Sequence, residues 1–361
     1  MFNLDGSTLA SYLGCSYRDS GLIGFLEQAS IFDAPFVPQD DEFFFDEPDI
    51  AWERSRESRM VEVERYSICL IYEDSECYNL LYNEKMVDPF VLKEIVFYGK
   101  DVQGYKGYKG NLPCGVLFSD FRYDIRNRKN FKYITTRILE GLEVDLLYVD
   151  GFIVNISFSS SDEIESFHIR SPHIYDLEML GIHKVIGVTE KNYPDVTKLI
   201  NFLGKNQFDK ELMRCMSLFS LYNDDNIITN CNHTQSFDFY VDYGLMLHFD
   251  CAANFSNVQR DKNESGVIFS GIQVVRKGEF LSKGYNGENL YDIKFSFLKD
   301  DIIKAIGREP DGIKNINIYT VLVWKEESCI LHVLLNLLDC QVEQISYFSS
   351  FMEKHFDYLL G

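Results

Sequence analysis

The spacing of apolar residues near the start of the chain predicts two short helices, and the same spacing returns near its middle. Apolar positions three and four residues apart lie on one face of a helix. They are Leu9, Tyr12, Leu13, Leu22, Phe25 and Leu26 in the first region, and Leu199, Phe202, Leu203, Leu212, Cys215 and Met216 in the second. Gly14 and Gly204 follow the first helix of each region, where a left-handed residue is favoured, and Asp19 and Asp209 can cap the next helix.

Beyond each helical region the pattern changes to runs rich in β-branched and aromatic residues, which predict strands. The runs are RYSICLIYE, EIVFYG, GVLFS, KYITTRI, LEVDLLYVD and FIVNISF in the first half, and YGLMLHFD, GIQVVR, DIKFS, INIYTVLVW, CILHVLLNLL and VEQISYF in the second. Ser119 and Ser296 follow the third run of each half and are candidate N-caps of a short helix. We expect an α+β fold in which each half is a helical lead plus a mainly antiparallel sheet with one crossing helix.

The two halves also match residue by residue, which indicates an internal duplication. Residues 66–125 match 243–302 without a gap at an offset of 177. The offset is 190 in the helical lead and 189 in a block that pairs Asp150 with Asp339. Copy one is therefore expected to carry 13 extra residues between about Gln28 and Arg65, and copy two 12 extra residues between about Ile303 and Leu338.

A period this long, present twice, indicates tandem modules and not a solenoid. We place the modules at residues 1–180 and 181–361, with extra loops near 33–57 and 307–325. The chain of 361 residues suits two hydrophobic cores. It shows no basic leader, no apolar run long enough to span a bilayer and no CxxC pair among its nine cysteines, so we expect a cytoplasmic protein with reduced thiols.

The charge distribution limits the classes of partner that this protein can bind. The formal net charge is −21, and residues 1–180 hold 32 acidic and 17 basic residues, a net charge of −15. Such a field repels nucleic acid and anionic lipid, while it speeds the encounter with a basic protein surface. We therefore expect a protein partner with a basic surface, and neither nucleic acid nor a membrane.

The tract PFVPQDDEFFFDEPDIAWE lies in the region where copy one is longer, and from Asp33 to Glu53 it holds eight acidic residues and no basic one. Aromatic anchors between carboxylates suit a loop that binds a basic partner. Alternatively, the phenylalanines fold back onto their own module and the acids form a solvated rim. The candidate partner-binding residues are Asp40, Asp41, Glu42, Phe43, Phe44, Phe45, Asp46, Glu47 and Asp49. A second, weaker candidate is the region around Gly307 to Ile318.

The sequence predicts no catalytic residue, cofactor or metal site. The run GKDVQGYKGYKGNLPCG lacks the GK[ST] ending of a phosphate loop and is better explained as a hairpin connection in which Gly107 and Gly110 have positive φ. The seven histidines are dispersed, without the three or four converging ligands that a metal needs. Asp124 and its counterpart Asp301 are candidate carboxylates for an enzyme, or first-turn residues that complement a helix dipole.

The string GYKGNLPCGVLFSDFRYDIRNR, preceded by EIVFYGKDVQ, resembles a motif of bacterial immunity proteins encoded beside polymorphic or type VI secreted toxins. The resemblance covers residues 66–158 and, less closely, 243–348, where Asn289, Leu290 and Lys299 replace Leu112, Pro113 and Arg122. It implies a cytosolic protein that binds and neutralises a cognate toxin.

Our hypothesis is a non-enzymatic inhibitor that occludes a toxin by protein contact. The alternatives are a hydrolase-like enzyme that acts at the cleft between the modules, and an adaptor or scaffold without inhibitory activity. A deep pocket with converging carboxylates would favour the enzyme. A shallow aromatic surface would favour the inhibitor.

Overall fold

The chain folds into two compact units, Met1–His173 and Ile174–Gly361. A computed structural model describes residues 4–35, 59–139, 141–183, 194–219, 221, 235–251 and 266–350. The division falls seven residues before the boundary that we placed after residue 180, because the helix Ile174–Met179 belongs to the second unit.

The first unit holds one antiparallel sheet of seven strands in the order β1-β2-β3-β7-β6-β5-β4. The strands are β1 Met60–Val63, β2 Ile68–Asp74, β3 Phe90–Tyr98, β4 Phe131–Leu139, β5 Leu142–Val149, β6 Phe152–Phe158 and β7 Ile164–Arg170. The helices are α1 Gly6–Ala10, α2 Ser20–Gln28, α3 Ser75–Tyr82 and α4 Arg122–Arg126. The core lies between one face of this sheet and helices α1, α2 and α4, which contribute Leu9, Leu22 and Ile125, all fully buried.

The second unit repeats this architecture with a sheet in the order β11-β12-β13-β14-β10-β9-β8. Its strands are β8 Gln235–Phe239, β9 Leu245–Cys251, β10 Val267–Val275, β11 Gly312–Ile316, β12 Tyr319–Lys325, β13 Ile330–Asn336 and β14 Val342–Phe348. Its helices are α5 Ile174–Met179, α6 Val196–Leu199, α7 Lys210–Leu218, α8 Tyr240–Tyr243 and α9 Lys299–Ile306. Counted from the start of each unit, the two strand orders are the same. The α+β fold with two sheet modules is therefore confirmed.

The helical leads follow the sequence prediction closely. The Asp19 carboxylate accepts a hydrogen bond from the backbone N–H of Leu22 at 2.9 Å, and Asp209 accepts one from Leu212 at 3.1 Å. Both are N-caps, which satisfy backbone donors that have no partner within the helix. Gly14 and Gly204 have φ of +88° and +85°.

The strands correct the alignment of the second half of each module. β9, β10 and β12 begin 177 residues after β2, β3 and β5, and β14 begins 178 residues after β7. Copy two is thus one residue longer here, and the expected 12-residue insertion was wrong. The offset of 189 compared different hairpins, because Asp150 lies between β5 and β6 whereas Asp339 lies between β13 and β14. Residues 307–325 are not an extra loop, since most of them form β11 and β12.

Three local predictions around α4 and α9 were also wrong. GVLFS is not a strand, because the backbone turns through positive φ at Cys114 and Gly115 while Val116 enters the core from a loop. DIKFS is likewise outside the described strands. Ser119 and Ser296 are not N-caps. The N-caps are Phe121 and Leu298.

Candidate functional site

The acidic and aromatic tract predicted to bind a partner lies outside the described residues. This applies to every candidate from Asp40 to Asp49, so its role stays a prediction. The weaker candidate region begins at Gly307, the left-handed residue that ends α9, and contains β11, an edge strand of the second sheet.

The carboxylates Asp124 and Asp301 lie in separate units. Each occupies the first turn of its helix, α4 or α9. Asp301 accepts a hydrogen bond from the backbone N–H of Leu298 at 3.1 Å. This position supports the interpretation as helix-stabilising residues.

Two histidines of the first unit are likewise held in structural contacts. His168 Nδ1 lies 2.8 Å from Glu94 Oε1, and the ring of His173 packs 6.2 Å from that of Tyr82. Within the described ranges, no group of three or more His, Cys, Asp and Glu side chains is placed to hold a metal ion.

The run GKDVQGYKGYKGNLPCG holds the start of its own unit in place. Gly107 has φ of +84°, as predicted. Gly110 does not have positive φ and is required for another reason, because a Cβ there would overlap the carbonyl oxygen of Leu4. The Tyr108 hydroxyl donates to that same oxygen, and Tyr285 makes the equivalent hydrogen bond to the carbonyl of Pro194. The run therefore has a structural role, and both copies retain its hydrogen bond to the start of the unit.

A cluster of charged side chains in the first unit was not predicted as a site. Asp145, in the middle of β5, is fully buried, yet it accepts hydrogen bonds from two arginines. Arg122 and Arg126 lie one turn apart on α4, and their guanidinium nitrogens approach Asp145 Oδ1 to 2.7 and 2.6 Å. Thr136 on β4 donates to the same oxygen at 2.7 Å. Both arginines form bidentate pairs, the geometry in which a guanidinium binds a carboxylate most strongly.

The two arginines keep the buried carboxyl of Asp145 ionised. Burial alone would raise the pKa of the Asp145 carboxyl, but the hydrogen bonds from Arg126, Arg122 and Thr136 outweigh it and hold the pKa below its usual value. Glu143, which is largely exposed, pairs with the outer side of Arg122. Asp162 lies 3.9 Å from Arg122 Nη1, so two cations face three carboxylates, and the hydrogen bonds to Asp145 fix the arginines in position.

These fixed arginines order an aromatic surface beside them. The Arg126 guanidinium lies 4.7 Å from the centre of the Tyr133 ring, whose hydroxyl is 2.7 Å from Thr136 Oγ1. Tyr133 is nevertheless 43% exposed, Phe121 55%, Ile138 67% and Tyr123 76%. We call Phe121, Tyr123, Arg126, Tyr133 and Ile138 the α4–β4 surface. Phe121 and Tyr123 lie at the start of α4, Tyr133 and Ile138 lie on β4, and the two elements are in contact. Large apolar side chains exposed on neighbouring elements are a feature of interaction sites.

The duplication shows that the fold does not require this cluster. At the offset of 177, Arg122, Arg126, Thr136 and Asp145 become Lys299, Ile303, Ile313 and Leu322. Leu322 is fully buried at the position of the buried aspartate. The exposed residues change too, since Phe121, Tyr123, Tyr133 and Ile138 correspond to Leu298, Asp300, Pro310 and Asn315. The replacement of Arg122 by Lys299 was visible in the sequence, but its meaning depended on Asp145, which is distant along the chain.

The second unit has a different buried cluster. Arg276 Nη1 lies 2.7 Å from Asp339 Oδ2, and Nη2 lies 3.2 Å from Glu279 and 3.7 Å from Glu343. Burial and the nearby Glu279 raise the pKa of Glu343 to about 7. Asn336 donates to this carboxyl at 2.7 Å. Copy one has Gly99 at the position of Arg276, so this cluster also arose in one copy alone.

Comparison with known proteins identifies no relative. The chain matches no protein-family profile, no curated protein and no solved structure. None of the helices in the described part of the chain has the length and apolar composition needed to cross a membrane.

Proposed function

We propose that this protein is a non-enzymatic inhibitor, of the kind represented by bacterial immunity proteins, that binds a partner protein and covers its working surface. The observation that carries this proposal is the α4–β4 surface. It is exposed and aromatic in the first unit, and it is absent from the second unit although the fold is the same.

The composition of this surface suits a protein interface. Tyrosine and arginine are enriched among the residues that contribute most of the energy at interfaces. Arg126 and Tyr133 are held in place by Asp145 and Thr136 before any partner arrives. Because these side chains lose little freedom on binding, the entropic cost of forming a complex is reduced.

Two sequence features support the same function. The motif that resembles immunity proteins contributes Phe121, Arg122, Tyr123 and Arg126 to this region, so the resemblance and the exposed surface coincide. The net charge of −15 on residues 1–180 would also speed the approach of a toxin with a basic active site. Under this proposal, the tract from Asp40 to Asp49 is a further contact with that basic surface.

The test is a binding titration with the protein encoded by the adjacent gene. We expect Tyr123→Ser and Tyr133→Ser each to weaken the complex by about 2 kcal/mol, roughly 30-fold in Kd. Val87→Ser and Val241→Ser are matched controls, because both valines are exposed and lie outside the surface. Replacing Phe43, Phe44 and Phe45 with Ser tests the tract separately. Absence of a complex, or unchanged affinity of the folded tyrosine variants, would refute the proposal.

One observation favours an enzyme as the second candidate. The pKa of Glu343, raised to about 7 by burial, suits general acid or base catalysis near neutral pH. However, the carboxyl is almost completely enclosed, between Arg276 and Asn336. A hydrolytic activity that Glu343→Gln abolishes without loss of folding would establish the enzyme.

A further inference from the structure

The edge strand β4 adds a second feature to the α4–β4 surface. β4 ends the sheet order of the first unit, and on its outer side no other strand of the described residues pairs with it. Its nine residues extend over about 30 Å at 3.3 Å per residue. The unpaired N–H and C=O groups of such an edge are a template for another extended chain.

The corresponding edge of the second unit is less developed. β11 has five residues where β4 has nine, and α9 has eight residues where α4 has five. The residues that lengthen the edge strand in copy one, 131–134, correspond to 308–311 in copy two, which lie between α9 and β11 and belong to neither. The long edge and the exposed aromatics therefore occur together in one copy alone.

The charge of this region differs from that of the rest of the molecule. Residues 122–137 hold six basic residues and one acidic residue, in a chain of net charge −21. Arg126 and Arg128 are paired with Asp145 and Asp120, whereas Lys129 and Lys132 are exposed and form no ion pair within the described residues.

The side chains on the two faces of β4 determine which kind of strand can pair with its outer edge. Tyr133 and Ile138 lie on the α4 side of the strand, opposite Leu147 and Glu143 of β5, and Lys132 lies on the other side. A basic edge repels a basic strand, and it repels a second copy of itself. A segment with apolar side chains on one face and carboxylates on the other matches both faces of β4.

We infer that the α4–β4 surface receives an extended acidic segment of the partner protein, which adds as a strand to the outer edge of β4. The inference rests on the proposed function, since it names how that partner is held. The aromatic side chains would cover the apolar face of the segment, and Lys129 and Lys132 would pair with its carboxylates. The strongly negative total charge opposes nucleic acid as the occupant.

The test uses a capped ten-residue peptide of alternating Glu with Phe or Val, and its counterpart with Lys in place of Glu. We expect the acidic peptide to bind at least about tenfold more tightly. Hydrogen exchange should slow in 131–139 and stay unchanged in 312–316, the matched edge of the second unit. N-methylation of alternate peptide bonds should abolish binding, because it removes the donors to β4.

A variant with a reversed charge provides a second test. Lys132 is exposed, so Lys132→Glu should leave the fold intact, weaken the acidic peptide and admit the lysine peptide. No binding of the acidic peptide at about 1 mM, equal binding of both peptides, or protection of β4 by a single-stranded oligonucleotide instead would overturn the inference. If the adjacent-gene protein binds while β4 exchange is unchanged, the inference fails and the proposed function stands. If that protein does not bind, the proposed function itself fails.

Discussion

At the scale of single residues, Asp145 is a buried charge that orders the surface beside it and that the fold does not require. A buried ion pair is often no more stable than apolar residues of similar volume, because removing both charges from water is costly. The second unit has the apolar alternative, because the buried Leu322 occupies the position of Asp145. Copy one keeps the charges, and they hold Arg126 against Tyr133 at the surface. The cluster therefore orders the surface more than it stabilises the unit.

This argument predicts different outcomes for partial and complete replacement. Asp145→Leu alone removes the buried carboxylate that both arginines share and should lower the free energy of unfolding by about 3 kcal/mol. Adding Arg122→Lys, Arg126→Ile and Thr136→Ile, which copies the second unit, should restore stability to near that of the wild type. Urea denaturation followed by circular dichroism would measure both. A quadruple variant that is less stable than Asp145→Leu would contradict the argument. Both variants should lose binding of the partner.

At the scale of elements, the sequence predicted the strands better than the segments between them. Runs of β-branched and aromatic residues favour strands, and such runs coincide with β2, β3, β5 and β14. GVLFS has the same composition, but Val116 is buried from a loop that turns at Cys114 and Gly115. Composition reports burial, and a buried run pairs as a strand only where the backbone is extended.

The candidate site was harder to predict than the fold. Arg122 and Asp145 are 23 residues apart along the chain, and only the packing of α4 beside β4 and β5 brings them together. β7 was missed because IESFHIR mixes polar residues into its alternation, and the polar side chains make contacts with neighbouring strands, as between Ser166 and Ser157 at 2.5 Å. Contacts of this kind leave no local signal in a single sequence.

Helix α5 determines where the second unit begins. The Tyr175 hydroxyl accepts a hydrogen bond from the backbone N–H of Lys277 at 2.7 Å, and Gln341 Nε2 donates to Asp176 at 3.2 Å. Both Tyr175 and Asp176 are buried. We therefore expect the fragment 174–361 to be more stable than 181–361 by about 3 kcal/mol, the cost of losing a buried aromatic side chain.

Thermal or urea unfolding of the two fragments, at equal concentration, measures this difference. Tyr175→Phe in the longer fragment is the matched control, because it keeps the ring against Phe295 and removes only the hydroxyl. Its loss should be about 1 kcal/mol. Equal stability of the two fragments would show that α5 is dispensable and that the boundary near residue 180 is the better one.

At the scale of the whole molecule, the two copies share one fold but have diverged in their buried charges. The first unit buries carboxylates that hydrogen bonds keep ionised. Burial would raise the pKa values of Glu73, Glu94 and Asp145, but partners such as Lys93, His168 and the arginines lower all three. The second unit buries Glu343 beside Glu279, Asp339 and Tyr319 with Arg276 as the nearby cation, and its pKa is raised. The units should therefore respond oppositely to pH.

The direction in which stability changes with pH depends on whether the folded or the unfolded state binds the proton more tightly. Glu343 has a pKa of about 7 when folded and about 4.5 when unfolded, so its stabilisation is complete below pH 4.5 and is lost as pH rises through 7. Glu343 alone should add about 1 kcal/mol to the second unit between pH 8 and pH 6, whereas His248, whose pKa burial lowers, opposes this gain in the same range. The lowered carboxylates of the first unit stabilise it above their ordinary pKa values, and that stabilisation is lost only as pH falls below about 4.

The pH response can be followed in each unit within the intact chain. In a Trp52→Phe variant the remaining tryptophan is Trp324, which is fully buried in β12 and reports unfolding of the second unit by fluorescence. Hydrogen exchange of β5 peptides reports the first. Glu343→Gln removes this titrating proton, while its amide oxygen can still accept from Asn336. The variant's second unit should therefore lose stability from pH 8 to pH 6 relative to the wild type, because the opposing titration of His248 remains. If Glu343→Gln left the pH dependence of the second unit unchanged, Glu343 would be ionised in the fold, with Arg276 as the charged partner of its carboxylate.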